Sequence, residues 1–216
     1  MSDHQSASTY RYCQHCGKAK KMCICHTIQN LHSEVELIIL QHPDEVHRAM
    51  GTARILNLSL DSCRILVGEN FTENAELNTL LQDDSYIHWV LFPNEKSVPV
   101  TQLSSAHLGN TLGSRSEMKK IRVLLIDGTW KKAYKIWRLS ENLHCLLSVA
   151  LPDSLKGNYR IRKAPSSNSL STVEAGFHLL NILEPSQDFT PLIESFNQMV
   201  DRQFKHIPSH IRTQNY

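Results

Sequence analysis

The chain has 216 residues, 41% of them hydrophobic, with 23 basic and 21 acidic side chains that leave a formal charge of +2. This allows one domain with a sizeable core and a small appendage, and excludes a disordered chain. Near-neutral charge neither demands nor excludes a polyanionic partner, while the lack of any run of about 18 apolar residues argues against a membrane partner.

In chain order, Met1 to Tyr10 is polar and lacks the apolar stretch of a secretory signal, so a cytoplasmic location is expected. Residues 1–30 are cysteine-rich and short of a core of their own, and read as an appended module before a main domain at 31–216. Val35 to Leu40 is an almost unbroken apolar run closed by Gln41-His42-Pro43, which suits a strand buried on both faces. Asp44 to Leu60 places Val46, Met50, Ala53, Leu56 and Leu60 at three-and-four spacing and predicts a helix. Arg64–Val67 predicts a strand, Ala75–Gln82 a helix, and Ile87–Phe92 a strand stopped by Pro93. Residues 93–119 form a long polar connection, of the length that often marks a lid or a missed element. Ile121–Ile126 is a strand, Thr129–Leu139 a helix and Cys145–Val149 a strand. A polar loop then runs to Ser169, before helices at 171–183 and 190–206. Strands alternating with helices give an α/β fold, a mostly parallel sheet flanked by helices on both faces. Ligands in such sheets gather where strands end and helices begin.

Three constellations carry chemistry. Cys13, Cys16, Cys23 and Cys25 offer four thiolates to one tetrahedral ion, which points to a structural zinc. His15 and His26 lie near enough in sequence to compete as ligands, and free thiols are the alternative. Cys63 and Cys145 stand in apolar surroundings and read as small core residues. Second, Asp127-Gly128-Thr129-Trp130 puts a carboxylate where a buried strand meets a helix, either as a functional group or, through Asp127 or Thr129, as a cap. Trp130, Tyr134 and Trp137 share a helical face that reads as core rather than as a base-stacking platform. Lys131, Lys132, Lys135 and Arg138 lie largely opposite, as phosphate contacts or a solvated basic face. Third, a basic cluster at Tyr159–Lys163 leads to Ser171-x-x-Glu174, a capping box whose carboxylate could also receive an ammonium. No dinucleotide fingerprint, phosphate loop, His-Glu-x-x-His or nucleophile elbow is present.

At Leu125 to Trp130 the sequence resembles the DTW-domain family, named for an Asp-x-Thr-Trp motif. The resemblance runs in order through the cysteine cluster, His42-Pro43-x-Glu45, Gly51 to Arg54, Phe92-Pro93, Tyr159 to Arg162 and Ser171 to Ala175, from about residue 12 to 205. It implies a tRNA-uridine aminocarboxypropyltransferase that moves the 3-amino-3-carboxypropyl group of S-adenosylmethionine to N3 of a tRNA uridine, at position 47 by analogy. It further implies a SPOUT-like fold with a carboxy-terminal knot. Asp127, with Thr129 and Trp130, would form the catalytic motif, Asp127 serving as base or as orienting group. Phe92, Pro93, Asp127, Gly128, Thr129, Tyr159, Arg160, Ile161, Arg162, Ser171 and Thr172 would surround S-adenosylmethionine, with Glu174 near its ammonium. His47, Arg48, Arg54, Lys131, Lys132 and the zinc module would face tRNA. The competing functions are a SPOUT-like RNA methyltransferase using the same donor and a non-catalytic zinc-ribbon RNA-binding module. Monomer and homodimer both remain open.

Overall fold

In a computed structural model the described residues are 11–103, 119–155 and 170–206. Six strands, β1 (Glu36–Gln41), β2 (Cys63–Val67), β3 (Tyr86–Leu91), β4 (Val98–Pro99), β5 (Lys120–Asp127) and β6 (Leu147–Ala150), form one sheet in the order β2-β1-β5-β3-β6-β4. Every pairing is parallel. The helices are α1 (Ala53–Ser59), α2 (Ala75–Leu81), α3 (Trp130–Leu139), α4 (Thr172–Leu183) and α5 (Thr190–His206).

Alternation along the central strands divides the core between two faces. Leu37, Ile39, Val123, Leu125 and Val149 pack with Leu56 of α1, Leu180 of α4 and Phe196 of α5. Ile38, Leu40, Leu124 and Val90 point the other way, against Leu77 of α2 and Ile136 of α3. All six residues of β1 are therefore buried, as its unbroken apolar run requires. Cys16 and Ile24 from the cysteine segment belong to the first of these cores. The segment is also bonded to α5: the Thr27 and Ser195 hydroxyls lie 2.7 Å apart, and Arg202 donates to the Cys23 carbonyl at 2.8 Å.

Two connections position the site. From β1 the chain passes through α1 to β2 at one edge of the sheet; from β5 it passes through α3 to β6 on the other side. Because α1 and α3 cover opposite faces, the carboxyl ends of the adjacent strands β1 and β5 form the switch point, the place where open α/β sheets bind ligands. The other connection is short. Residues 92–97 carry the chain from β3 to β4, and β6 lies between those two strands in the sheet.

Two expectations need correction, the helix at 44–60 and the burial of Cys145, and one alternative is decided. The helix expected from Asp44 to Leu60 is a 3-10 turn at Pro43–Glu45, further tight turns, and only then α1. A Cβ on Gly51 would lie 3.2 Å from the Arg48 carbonyl, so the chain is turning sharply there rather than continuing a helix. Of the two alternatives for the connection at 93–119, the missed element is present: it contains β4 and a 3-10 turn at Val100–Leu103, and β4 has two residues, one of them proline, too little for periodicity to register. Cys145 is exposed rather than core, whereas Cys63 packs against the core and burial pushes its thiol up to about 12.

Candidate active site

Asp127 is the last residue of β5 and pairs in register with Gln41, the last residue of β1. A polar residue at the end of each of two buried strands puts an amide beside a carboxylate at the switch point. The Gln41 amide donates to Asp127 Oδ2 at 2.8 Å, and the Thr172 hydroxyl donates to Oδ1. The Asp127 side chain is thus held at both oxygens in a residue only 7% exposed. Buried carboxylates need such donors, and two of them fix the plane of this one. The backbone adds a third tie, from the His42 amide to the Asp127 carbonyl at 3.0 Å.

Thr172 reaches Asp127 because α4 begins there. Ser171 is the N-cap and Glu174 closes the capping box: the Ser171 amide and hydroxyl donate to Glu174 Oε2 at 2.7 and 2.6 Å. The Val173 amide, two residues on, donates to the Thr52 hydroxyl at 3.3 Å, docking the first turn of α4 against the residue that precedes α1. Thr129 caps α3 by accepting from the Lys132 amide, so of the two candidate caps it is Thr129 rather than Asp127 that fills the role. Gly128 permits a close approach, since a Cβ there would lie 3.0 Å from Lys132 Cβ.

A charge network braces the loop after β1 against α3. His42 is buried; its Nε2 lies 2.7 Å from Glu69 and its Nδ1 accepts from the Asp44 amide. Lys132 bridges Asp44 and Glu45 at 3.0 and 2.9 Å, and Arg48 pairs with Glu45 at 3.2 Å. The Lys132 ammonium holds the Asp44 carboxyl below the usual carboxylate range, and Lys135 does the same for Glu69.

The four cysteine sulfurs lie within 4.8 Å of one another, with Cys13–Cys25 at 3.6 Å and Cys16–Cys23 at 3.7 Å. Tetrahedral coordination at Zn–S of about 2.3 Å requires sulfurs about 3.8 Å apart, so the donor set fits a closed structural site. His15 and His26 are exposed and outside this cluster. Lys18 joins the cluster to the site, its buried ammonium donating to the carbonyls of Ala49 at 2.7 Å and Gly51 at 3.1 Å, immediately before Thr52. Burial lowers the Lys18 pKa to about 8.

The model of the DTW domain matches residues 10–204. The chain belongs to the DTW-domain family. This DTW-domain protein is similar to tRNA-uridine aminocarboxypropyltransferase 2 of Drosophila melanogaster, at 32% identity over 80% of this chain and 66% of that protein. It is 28% identical to the protein of the same name from Macaca fascicularis, over 80% of this chain and 56% of that one. It is also similar to tRNA-uridine aminocarboxypropyltransferase A of Arabidopsis thaliana, at 26% identity over 96% of this chain and 86% of the relative. The chain thus spans between about half and two thirds of the length of the two animal relatives. No solved structure matches it.

Within the DTW domain, Asp127, Gly128, Thr129, Ser171, Thr172 and Glu174 converge at the ends of β1 and β5. Phe92 follows β3 with its ring stacked on Trp137 at 4.9 Å, inside the core under α3, and exposed Pro93 comes next. Tyr159, Arg160, Ile161 and Arg162 lie outside the described residues. His47 and Arg48 are exposed on the turns before α1, and half-buried Arg54 lies near Gly17 of the cysteine segment. Lys131 is exposed, whereas Lys132 is occupied by Asp44 and Glu45. The aromatic stripe departs from expectation: Trp137 packs inward, but Trp130 and Tyr134 are 51% and 57% exposed. Ala133 and Ile136 supply the buried face instead. Gln41, Thr52, Lys18 and Glu69 were not singled out by sequence. The available signal was Gln41, a polar side chain closing a wholly apolar strand.

Proposed function

We propose that this protein transfers the 3-amino-3-carboxypropyl group of S-adenosylmethionine to N3 of a tRNA uridine, at position 47 of the variable loop, in the cytoplasm. The observation that carries this reading is the buried Asp127 carboxylate, held by Gln41 and Thr172 at the switch point of a chain whose relatives are named tRNA-uridine aminocarboxypropyltransferases. A sulfonium is already a good electrophile, so the protein needs no covalent nucleophile; it must orient the donor and manage a proton. Asp127 takes the uridine N3 proton. The freed nitrogen pair forms a bond to the methionine γ-carbon, the carbon–sulfur bond breaks with its electrons passing to sulfur, and neutral methylthioadenosine leaves.

Ser171, Thr172 and Gly128 line the donor side, with Glu174 toward the ammonium and the 159–162 segment completing the pocket. Zinc held by Cys13, Cys16, Cys23 and Cys25 orders the amino-terminal segment, and Lys18 transmits that order to the residues before Thr52. We extend the proposal to a SPOUT-like fold with a carboxy-terminal knot, supported by the parallel sheet and by the crossing of 92–97 past the end of β6. The test is incubation of unmodified tRNA with S-adenosylmethionine, followed by nucleoside mass analysis. Orientation of the donor decides the product: a gain of about 101 Da marks the aminocarboxypropyl group, and about 14 Da would mark a methyltransferase. An unchanged nucleoside with intact tRNA binding would leave a binding module.

A further inference from the structure

Helix α3 leaves the site with its charges sorted by face. The lysines toward the 42–45 loop and Glu69 are neutralised: Lys132 by Asp44 and Glu45, Lys135 by Glu69. Lys131 and Arg138 are exposed, and among the described residues no carboxylate pairs with either. Trp130, Tyr134 and Arg138 follow at intervals of four and share one face, with Lys131 alongside. Large aromatics on a soluble helix ordinarily turn inward, and here Trp137 does so while Trp130 and Tyr134 are more than half exposed. The strip starts three residues beyond Asp127 and runs about 12 Å along the helix axis, at 1.5 Å per residue.

We propose that this aromatic and cationic face of α3 is a stacking platform for unpaired nucleotides of the tRNA substrate beside the target uridine. Flat rings at Trp130 and Tyr134 take the π-faces of bases, and Lys131 and Arg138 take the adjoining phosphates. The occupant is argued from charge: cations with no carboxylate partner among the described residues, flanking exposed rings, complement a single-stranded polyanion, whereas a partner protein's apolar surface would bury both cations away from water. The proposal rests on the reading that tRNA is the substrate.

The test is binding of an unmodified tRNA transcript, over one series of salt concentrations common to all proteins, by the full chain and by the Tyr134→Ala, Tyr134→Phe and Arg138→Gln variants. Tyr134→Ala should weaken binding about 10-fold or more, the size of one lost base–ring stack, while Tyr134→Phe retains it. Arg138→Gln should lower the slope of log affinity against log salt by about one. Affinity for S-adenosylmethionine and the sedimentation of the free protein should not change. Trp130 supplies a local readout, since Trp89 is buried and Trp137 is stacked on Phe92; tRNA should quench Trp130 fluorescence, and Trp130→Phe should remove the quench but not the binding. Wild-type tRNA affinity in Tyr134→Ala would overturn the platform. So would altered sedimentation, which would make the face a contact between copies of the chain, or equal dependence on Tyr134 when a blunt RNA duplex replaces tRNA. Failure of transfer in the wild-type protein would overturn the enzymatic reading instead, with the binding comparison still decisive for the platform.

Discussion

Thr172→Val removes one atom's chemistry from the site and leaves its shape. Valine keeps the β-branch and the first-turn position of α4 but removes the Thr172 hydroxyl that donates to Asp127 Oδ1, while Gln41 still donates to Oδ2. A hydrogen bond to a charged group contributes about 1.5–3 kcal/mol, and here the acceptor is a buried carboxylate that water replaces poorly. Against a total stability of about 5–15 kcal/mol the loss is large but not unfolding. Urea unfolding should therefore show a lower midpoint with an unchanged slope, displaced by about 1.5–3 kcal/mol. If Asp127 contacts the uridine, single-turnover transfer should fall by a similar energy, about 10- to 150-fold, because the carboxylate is no longer fixed in plane. Thr172→Ser keeps the hydroxyl and should retain most of both quantities. Wild-type stability and rate in Thr172→Val, or a serine variant as impaired as valine, would refute the reasoning.

Gly176→Ala would set a Cβ 2.8 Å from both Leu56 methyl carbons where α4 crosses α1; the overpacking cost of about 1–3 kcal/mol exceeds the helix-propensity gain of up to about 1, so urea unfolding should show net destabilisation. Adding Leu56→Ala should make the pair less destabilised than the sum of the two, and a Gly176→Ala protein more stable than wild type would contradict the contact. Chelation should release one zinc per chain by elemental analysis and lower the melting temperature of the whole domain, since Ile24 and Cys16 lie in its core; a metal-free protein with an unchanged melt would contradict this. His32, 2.6 Å from Asp61 and 3.0 Å from Glu34, has its pKa raised to about 9 by those carboxylates. Its contribution to stability is therefore full below its unfolded value of about 6.5 and lost as pH rises through about 9, an effect that His32→Gln should remove from the pH dependence of melting and that NMR titration of the ring should locate.

Local rules were enough to read β1 as a doubly buried strand, Asp127 at a strand-to-helix junction and the Ser171–Glu174 capping box, because each depends on neighbours within a few residues. The cysteine cluster was legible for the same reason, its four ligands falling within thirteen positions of one another. What gives Asp127 its setting is not local: Gln41 and Thr172 lie 86 and 45 residues away and meet it only through strand register and the docking of α4. The 44–60 segment misled because Val46, Met50 and Ala53 satisfy helical spacing, while the turns that interrupt it depend on Gly51 and on Lys18 reaching in from the cysteine segment. The face of α3 misled because ring size suggests burial, yet Ala133 and Ile136 suit the close approach to the sheet and leave Trp130 and Tyr134 outside.

The central claim, that Asp127 handles the N3 proton, is tested most directly by Asp127→Asn. The amide still accepts from Thr172, and a flip of the Gln41 side chain lets Gln41 accept where it formerly donated, so the fold and S-adenosylmethionine binding should persist. Single-turnover nucleoside mass analysis should then show no aminocarboxypropyl uridine from a folded, donor-bound protein. Transfer at the wild-type rate would contradict the assignment.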